Sequence, residues 1–223
     1  MTLAKDTPLH IVDFEGNQKC GIVEYGVVTL LGGIVTRTAT RLCRAENDIN
    51  ARDIELHRIR NEDTLNCQPF SDEWELFLEL RQSGPLCAHY AAVEHGLMKR
   101  TWPYPRKSPD FLNLGQFSAD WGPWIDTCQL FQRIYPGLES YQLASLVAQF
   151  GLSDSLSELA EQHCPVERSS FHCALYDAIA SALLLKYILA LPGFEGATVA
   201  WLIHNSASGK KKDALRQLRF GDR

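Results

Sequence analysis

The sequence predicts a mixed α/β protein: one five-stranded sheet, three antiparallel strands followed by parallel ones, flanked by helices. Three observations predict it. Residues 9–14, 21–31 and 33–43 are apolar or rich in Val, Ile and Thr, and Gly32-Gly33 separates the last two, as in a β-hairpin. From residue 51 the apolar residues recur at helical rather than strand spacing. Short apolar runs at 86–89 and 124–125 then alternate with helical stretches, the pattern of parallel strands joined by helices.

The elements follow in order. LHIVDF, residues 9–14, reads as a short buried strand. Residues 51–59 and 71–81 read as helices. In the second, Trp74, Phe77, Leu78 and Arg81 share a face, Ser71 is placed to cap it, and Gly84-Pro85 to end it. After the fourth strand, residues 91–99 continue as a helix. Residues 101–121 carry Pro103, Pro105 and Pro109 without clear periodicity and read as an extended loop. Beyond the fifth strand the chain reads as helical at 127–135, 141–150, 156–163, 174–190 and 198–204. Residues 1–206 thus form the expected folded domain, and 207–223 a basic tail with Lys210 to Lys212.

Composition narrows the class without naming a function. Hydrophobic residues at 45% and charged residues at 22% suit a globular chain. The net charge of −5 does not advertise a nucleic-acid binder, but a site that gathers carboxylates around cations is acidic by design. Seven cysteines, an odd number with no CxxC pair, fit reduced thiols and a cytoplasmic location. No signal peptide is visible, and the longest apolar stretch, 178–192, contains Lys186 and is too short to span a bilayer.

The chemistry concentrates in acids at element boundaries. In Asp13-Phe14-Glu15 the two carboxylates point to one side of the strand and Phe14 to the other, into a core. A charged pair at the end of an apolar strand carries a desolvation cost that a cation can offset. Glu94 lies one turn into the helix after the fourth strand. Asp177 lies in the first turns of the long helix after Phe171-His172-Cys173. Alone, each acid reads as a solvated face or a helix-dipole partner.

Together these segments resemble the DEDDh exonucleases, a superfamily with an RNase H-like fold that includes polymerase proofreading domains. IVDFEGN is similar to the first motif, LCAHYAAVEHGLM to the second, and HCALYDAIASALLL to the third, with a His five residues before an Asp. WIDTCQLFQRIYPGLESYQLASLVAQFGL resembles the strand, Asp-Thr and two helices between them, and LHRIRNED the His-x-Ile turn before the second motif. The resemblance spans residues 8–190. Two positions depart from it: Glu94 stands where the second motif carries Asp, and Tyr90 where Asn is frequent. Glu keeps the charge and the oxygen donors on a chain longer by roughly 1.5 Å, giving a DEEDh pattern.

The resemblance implies a 3′-to-5′ exonuclease acting on nucleic acid 3′ ends, single-stranded DNA for preference, with two Mg²⁺ or Mn²⁺ ions roughly 4 Å apart. By the same resemblance Asp13 bridges both ions, Glu15 and Asp177 complete the shell of one, and Glu94 acts through the other. His172, an imidazole with a pKa near working pH, is the expected general base. Phe14, Gly16 and Asn17 are the expected cradle for the frayed 3′ end, and the turn at His57-Arg58-Ile59 its other wall. Lys99, Arg100, Arg106 and Lys107, interleaved with Trp102 and Tyr104, suit a single strand and read equally as solvated loop charges. Two other functions stay open: an exoribonuclease on short RNA, and a catalytically weak nucleic-acid-binding module. A homodimer is open too, and no membrane partner is expected.

Overall fold

The computed structural model describes residues 2–207. The expected basic tail, apart from Ala207, lies outside the described residues. Strands β1 (Leu9–Asn17), β2 (Gly21–Leu31) and β3 (Ile34–Leu42) form the expected antiparallel meander. Helices α1 (Ala51–His57) and α2 (Asn61–Thr64) follow, then α3 (Trp74–Ser83), β4 (Leu86–Ala88) and α4 (Ala91–Thr101). A two-residue ladder, β5 (Ser108–Pro109) with β6 (Phe117–Ser118), closes the proline-bearing loop before β7 (Ile125–Asp126). Helices α5 (Thr127–Ile134), α6 (Leu143–Gln149), α7 (Ser153–His163), α8 (Ala174–Leu189) and α9 (Val199–Asn205) complete the described chain.

The main sheet has the order β3-β2-β1-β4-β7, with β4 parallel to both β1 and β7. Two cores sandwich it, and the strand period of two sorts β1 between them. Leu9 and Ile11, with Val28 and Leu30 of β2, face the helical layer built around α8. Val12 and Phe14, with Tyr25 and Val27, face α3, α4 and the tryptophans of the long loop. Asp13 and Glu15 continue the row of Leu9 and Ile11, so both carboxylates emerge on the α8 side. β4 pairs with β1 only at His10 and Ile11. The acidic end of β1 therefore runs past the end of β4, at the carboxyl edge of the parallel strands where α/β folds place their sites.

Helix α8 reaches this edge because Gly26 lets it. Gly26 lies opposite Asp13 in the β1–β2 register. A Cβ there would sit 2.2 Å from the Ala174 carbonyl carbon and 2.3 Å from the Leu175 nitrogen, the first turn of α8. We expect Gly26→Ala to cost about 1–3 kcal/mol of stability, the range for overpacking an interior that must shift backbone. Urea denaturation checks this; a change within ~0.5 kcal/mol would show that α8 can move freely off the sheet.

Three sequence expectations are corrected. Ser71 does not cap α3: a 3-10 turn, Phe70–Glu73, precedes the helix, and α3 begins at Trp74. Phe70 is drawn into a ring cluster with Phe14, Phe77 and Trp102, which sets where the chain turns. The fifth strand is Ile125–Asp126 rather than 124–125. The basic-aromatic loop is only partly open, with Tyr104 exposed at 88%. Trp102 is buried, and Lys99, Arg100 and Arg106 reach carboxylates of Asp120, Glu46 and Glu75. Arg81 is buried on the face expected from its spacing and donates to the carbonyls of Pro109 (2.7 Å) and Gly122 (2.6 Å), tying the loop to α3. Among the described residues no helix is long and apolar enough to cross a membrane.

Candidate active site

The acids converge from three elements and one turn. β1 brings Asp13 and Glu15, α4 brings Glu94, α8 brings Asp177, and the turn before α8 brings His172. The tightest group is Glu15, His172 and Asp177, with one ligand atom of each lying within 4.8 Å of the others. Asp13 sits among them: the carboxylates acting on it are, in falling order, Asp177, Glu94, Glu15 and Glu24.

Local structure explains each placement. The β1–β2 ladder shifts register between Glu15 and Gly16, where Gly16 has φ +122° and a Cβ would lie 2.1 Å from the Gly21 carbonyl oxygen. Only glycine tolerates that backbone. The kink offsets the ladder just after the second acid, and only the pairs Gly16–Ile22 and Asn17–Gly21 follow it. Tyr90 takes a left-handed conformation (φ +64°) as the chain turns from β4 into α4, at a strain of about 1–2 kcal/mol for a residue with a Cβ. Asp126 braces this turn by accepting the Ala91 N–H at 3.0 Å while capping α5 through the Gln129 N–H at 3.2 Å. Asn is the residue best suited to Tyr90's backbone, so the tyrosine is held there by its surroundings and leaves its ring 44% exposed.

Glu94 does not turn out to solvent. It is 5% exposed, and its carboxylate feels the Phe14 backbone on the edge of β1 that β4 leaves free. His172 is solvent-exposed and also left-handed (φ +66°). Its backbone N–H donates to Asp177 Oδ2 at 3.0 Å, so the turn and the acid five residues on are locked together.

The electrostatics of this cluster are unfavourable as they stand. Burial, then the surrounding acids, push Asp13 well above the usual carboxylate range. Burial and then Glu15 push Glu94 the same way, against the opposing pull of the Phe14 backbone. Glu15 is raised to about 8 by burial, then by Asp177 and Glu24, with Arg168 opposing. Asp177 is raised to about 7, chiefly by burial, against the His172 N–H bond. Glu94 Oε2 and Asp177 Oδ1 are buried without a hydrogen-bond partner among the described residues. Buried carboxylate oxygens of this kind are costly unless a cation meets them. An all-oxygen donor set suits hard divalent ions such as Mg²⁺ or Mn²⁺, so the residues present fit the group that the resemblance implies.

The expected substrate residues divide. Gly16 and Asn17 lie at the rim. The Asn17 side chain is already engaged: its Oδ1 accepts the Lys19 and Cys20 N–H groups, and its amide donates to Asp53. The Phe14 ring packs into the core against Phe70 and Phe77, leaving its backbone as the part near the acids. His57 and Ile59 are both buried. Ile59 joins a small core with Cys20, Val23 and Ile49, and its N–H donates to His57 Nδ1 at 3.1 Å. Neither offers an open face for stacking. In that turn Arg58 is the exposed residue, with φ +61°.

Two residues of the site escape a sequence reading. Glu24 faces Glu15 directly across the β1–β2 ladder, and Arg168 forms a two-point ion pair with it at 2.9 and 2.5 Å. The only local signal is a charged residue inside the otherwise apolar run GIVEYGVV. Nothing near Arg168 in sequence marks it, 144 positions away.

No family model and no curated protein sequence matches the chain. Solved structures do. Exonuclease X in complex with 5′ overhanging duplex DNA is 23% identical, with a TM-score of 0.60 over 87% of this chain and 99% of that one. The nuclease domain of 3'hExo, a DEDDh family member solved bound to rAMP, is 14% identical, with a TM-score of 0.59 over 88% of this chain and 98% of that one. The zinc-bound E. coli ExoI-ssDNA complex is 11% identical, with a TM-score of 0.56 over 85% of this chain and 42% of that one. Identities this low speak to architecture, and the architecture is plain: the chain has the RNase H-like fold of the DEDDh exonucleases.

Proposed function

We propose that the chain is a divalent-cation-dependent 3′-to-5′ exonuclease, with residues 1–206 as the catalytic unit and single-stranded DNA as the preferred substrate. The observation that carries this reading is the set of three buried carboxylates, Glu15, Glu94 and Asp177, two with orphaned oxygens, that gather with the half-buried Asp13 around an exposed histidine at the end of β1. The fold adds support, since the matched structures are exonucleases solved with duplex DNA, single-stranded DNA or rAMP. Seven unbridged cysteines suit a reducing compartment, and we place the protein in the cytoplasm.

Asp13, Glu15, Glu94 and Asp177 would hold two Mg²⁺ or Mn²⁺ ions. Bound there, the cations would neutralise the acids and draw negative charge from the scissile phosphate. The chain's own residues do the rest. The exposed His172 ring takes the proton of the attacking water as its oxygen bonds to phosphorus, and the bond from phosphorus to the 3′ oxygen of the preceding nucleotide breaks. Asp177 holds the histidine turn through its backbone N–H. Gly16 and the Phe14 backbone offer close approach to the terminal nucleotide.

The test uses oligonucleotides labelled at the 3′ or the 5′ end, as DNA and as RNA, with Mg²⁺, Mn²⁺ or chelator. The expected result is immediate release of the 3′ label as mononucleotide, a shortening ladder from the 5′ label, and no product with chelator. Faster loss of RNA would move the substrate to the exoribonuclease that rAMP in a matched structure also suits. No product under any metal would sink the nuclease reading and leave a nucleic-acid-binding module.

Glu94 gives a sharper check of the site. We expect Glu94→Ala to lower kcat by about 10²-fold or more, the scale for losing a preorganised charge at a reacting phosphate. Glu94→Asp should retain activity but need more cation, its carboxylate now one methylene short of the β1 edge. Wild-type turnover by Glu94→Ala at limiting Mn²⁺ would remove Glu94 from the site.

A further inference from the structure

Glu24 poses a problem of its own. It sits in the middle of the sheet, 3% exposed, directly opposite Glu15. Like charges facing each other across a ladder destabilise a sheet, and a buried carboxylate needs a partner with good geometry. The chain supplies two. Arg168 closes a two-point pair through Nε (2.9 Å) and Nη2 (2.5 Å), and the Ala174 N–H, at the first turn of α8, donates to Glu24 Oε2 at 2.9 Å.

The same guanidinium holds two other segments. Arg168 Nη1 donates to the His57 carbonyl at 2.6 Å, and Nη2 reaches the His172 carbonyl at 3.5 Å. His172 is thus tied on both sides of its residue: its N–H to Asp177, its C=O to Arg168. Arg168 ends the 3-10 turn Val166–Arg168 that leads into the 169–173 loop, so the pair anchors that loop to β2 and to the end of α1. Left-handed backbone at His172 persists only where its surroundings over-determine it, and these bonds are the surroundings.

We propose that Glu24 and Arg168 are positioning residues: together they seat the start of α8 on β2 and hold the His172 turn where its ring meets Glu15 and Asp177. Neither needs to touch substrate. The pair rests on the nuclease reading for its effect on rate, but its effect on the turn stands apart from any activity.

The experiment compares wild type with Arg168→Met, Arg168→Lys and Glu24→Gln by three measurements. The first is steady-state hydrolysis of a single-stranded DNA oligonucleotide in Mn²⁺, well below each variant's Tm. For Arg168→Met we expect kcat to fall about 10- to 100-fold, the usual effect of losing a group that orients a metal-site residue, with KM within about twofold because the pair binds no substrate. Arg168→Lys, which keeps the charge but not the fork, should recover part of that loss, and Glu24→Gln should lower kcat in the same way. The second is amide exchange at His172 and Ala174, which should quicken about tenfold or more in Arg168→Met while the middle of α8 stays protected. The third is Tm. A variant that loses Tm but keeps kcat and local protection would make the pair merely structural and overturn the proposal, as would Lys and Met variants of equal, wild-type rate. A wild type that cleaves nothing would overturn the nuclease reading alone, and amide exchange would then decide the positioning role.

Discussion

His172→Ala should lower kcat by about 10²–10⁴-fold, the contribution of a positioned general base, while Mn²⁺ still binds. Its ring is exposed at the mouth of the acid cluster, and one ring nitrogen lies within 4.8 Å of ligand oxygens of Glu15 and Asp177. Among the described residues no other histidine of the acid cluster's surroundings is placed to replace it. His57 is buried with Nδ1 occupied by the Ile59 N–H, His89 is buried between Thr127 and the Tyr141 carbonyl, and His95 stacks on Trp124 beside Asp120. Because the His172 backbone N–H, not the ring, bonds Asp177, truncation leaves that acid's support in place. Calorimetric titration with Mn²⁺ should therefore give a Kd within about threefold of wild type, less than ~0.7 kcal/mol. Full turnover in the variant would end the base assignment. Loss of Mn²⁺ binding alongside activity would instead make His172 a ligand.

What the sequence made readable is the part encoded locally. The Val, Ile and Thr runs of β2 and β3 and the Gly-Gly turn between them need no tertiary information, and both strands lie within one residue of expectation. The facing of Asp13 and Glu15 follows from the strand period alone. Convergence of Glu94, Asp177 and His172 on them does not: it depends on β4 ending early, on Gly26 admitting α8, and on two left-handed turns, none of which periodicity records. Resemblance to a family carried that step. Residues whose role is set by partners far away were misread or missed. Helical spacing puts Arg81 on the buried face of α3, but nothing in it shows that the guanidinium holds carbonyls of a distant loop. Trp102 looked like a stacking platform because its neighbours are basic, yet it fills the core beside Phe70. Glu24 looked like one polar position in a strand, and only the β1–β2 register puts it against Glu15.

That register also governs how the protein should answer to pH. Glu15 and Asp177 are raised to about 8 and about 7, and Asp13 and Glu94 lie well above the carboxylate range. In the unfolded chain these groups return to roughly 4. Between those values the folded state holds protons that the unfolded state has released, so stability falls as pH rises. The contribution is complete below about pH 4 and is lost through the range where Glu15 and Asp177 ionise. One pKa unit of such linkage is about 1.4 kcal/mol, or about 3–5 °C in Tm for a chain of this size. Metal-free protein should therefore melt at least that much lower at pH 8.5 than at pH 5.5. A divalent cation reverses the sign: it binds the ionised acids, displaces their protons and stabilises the fold more as pH rises. Melting curves with Mn²⁺ and with chelator should diverge upward from about pH 6. The Asp13→Asn variant, with one acid fewer at the centre of the cluster, should lose most of that divergence and be more stable than wild type in chelator at high pH. Parallel curves across the whole range would mean that the acids neither repel one another nor share a cation, and the metal site would fall with them.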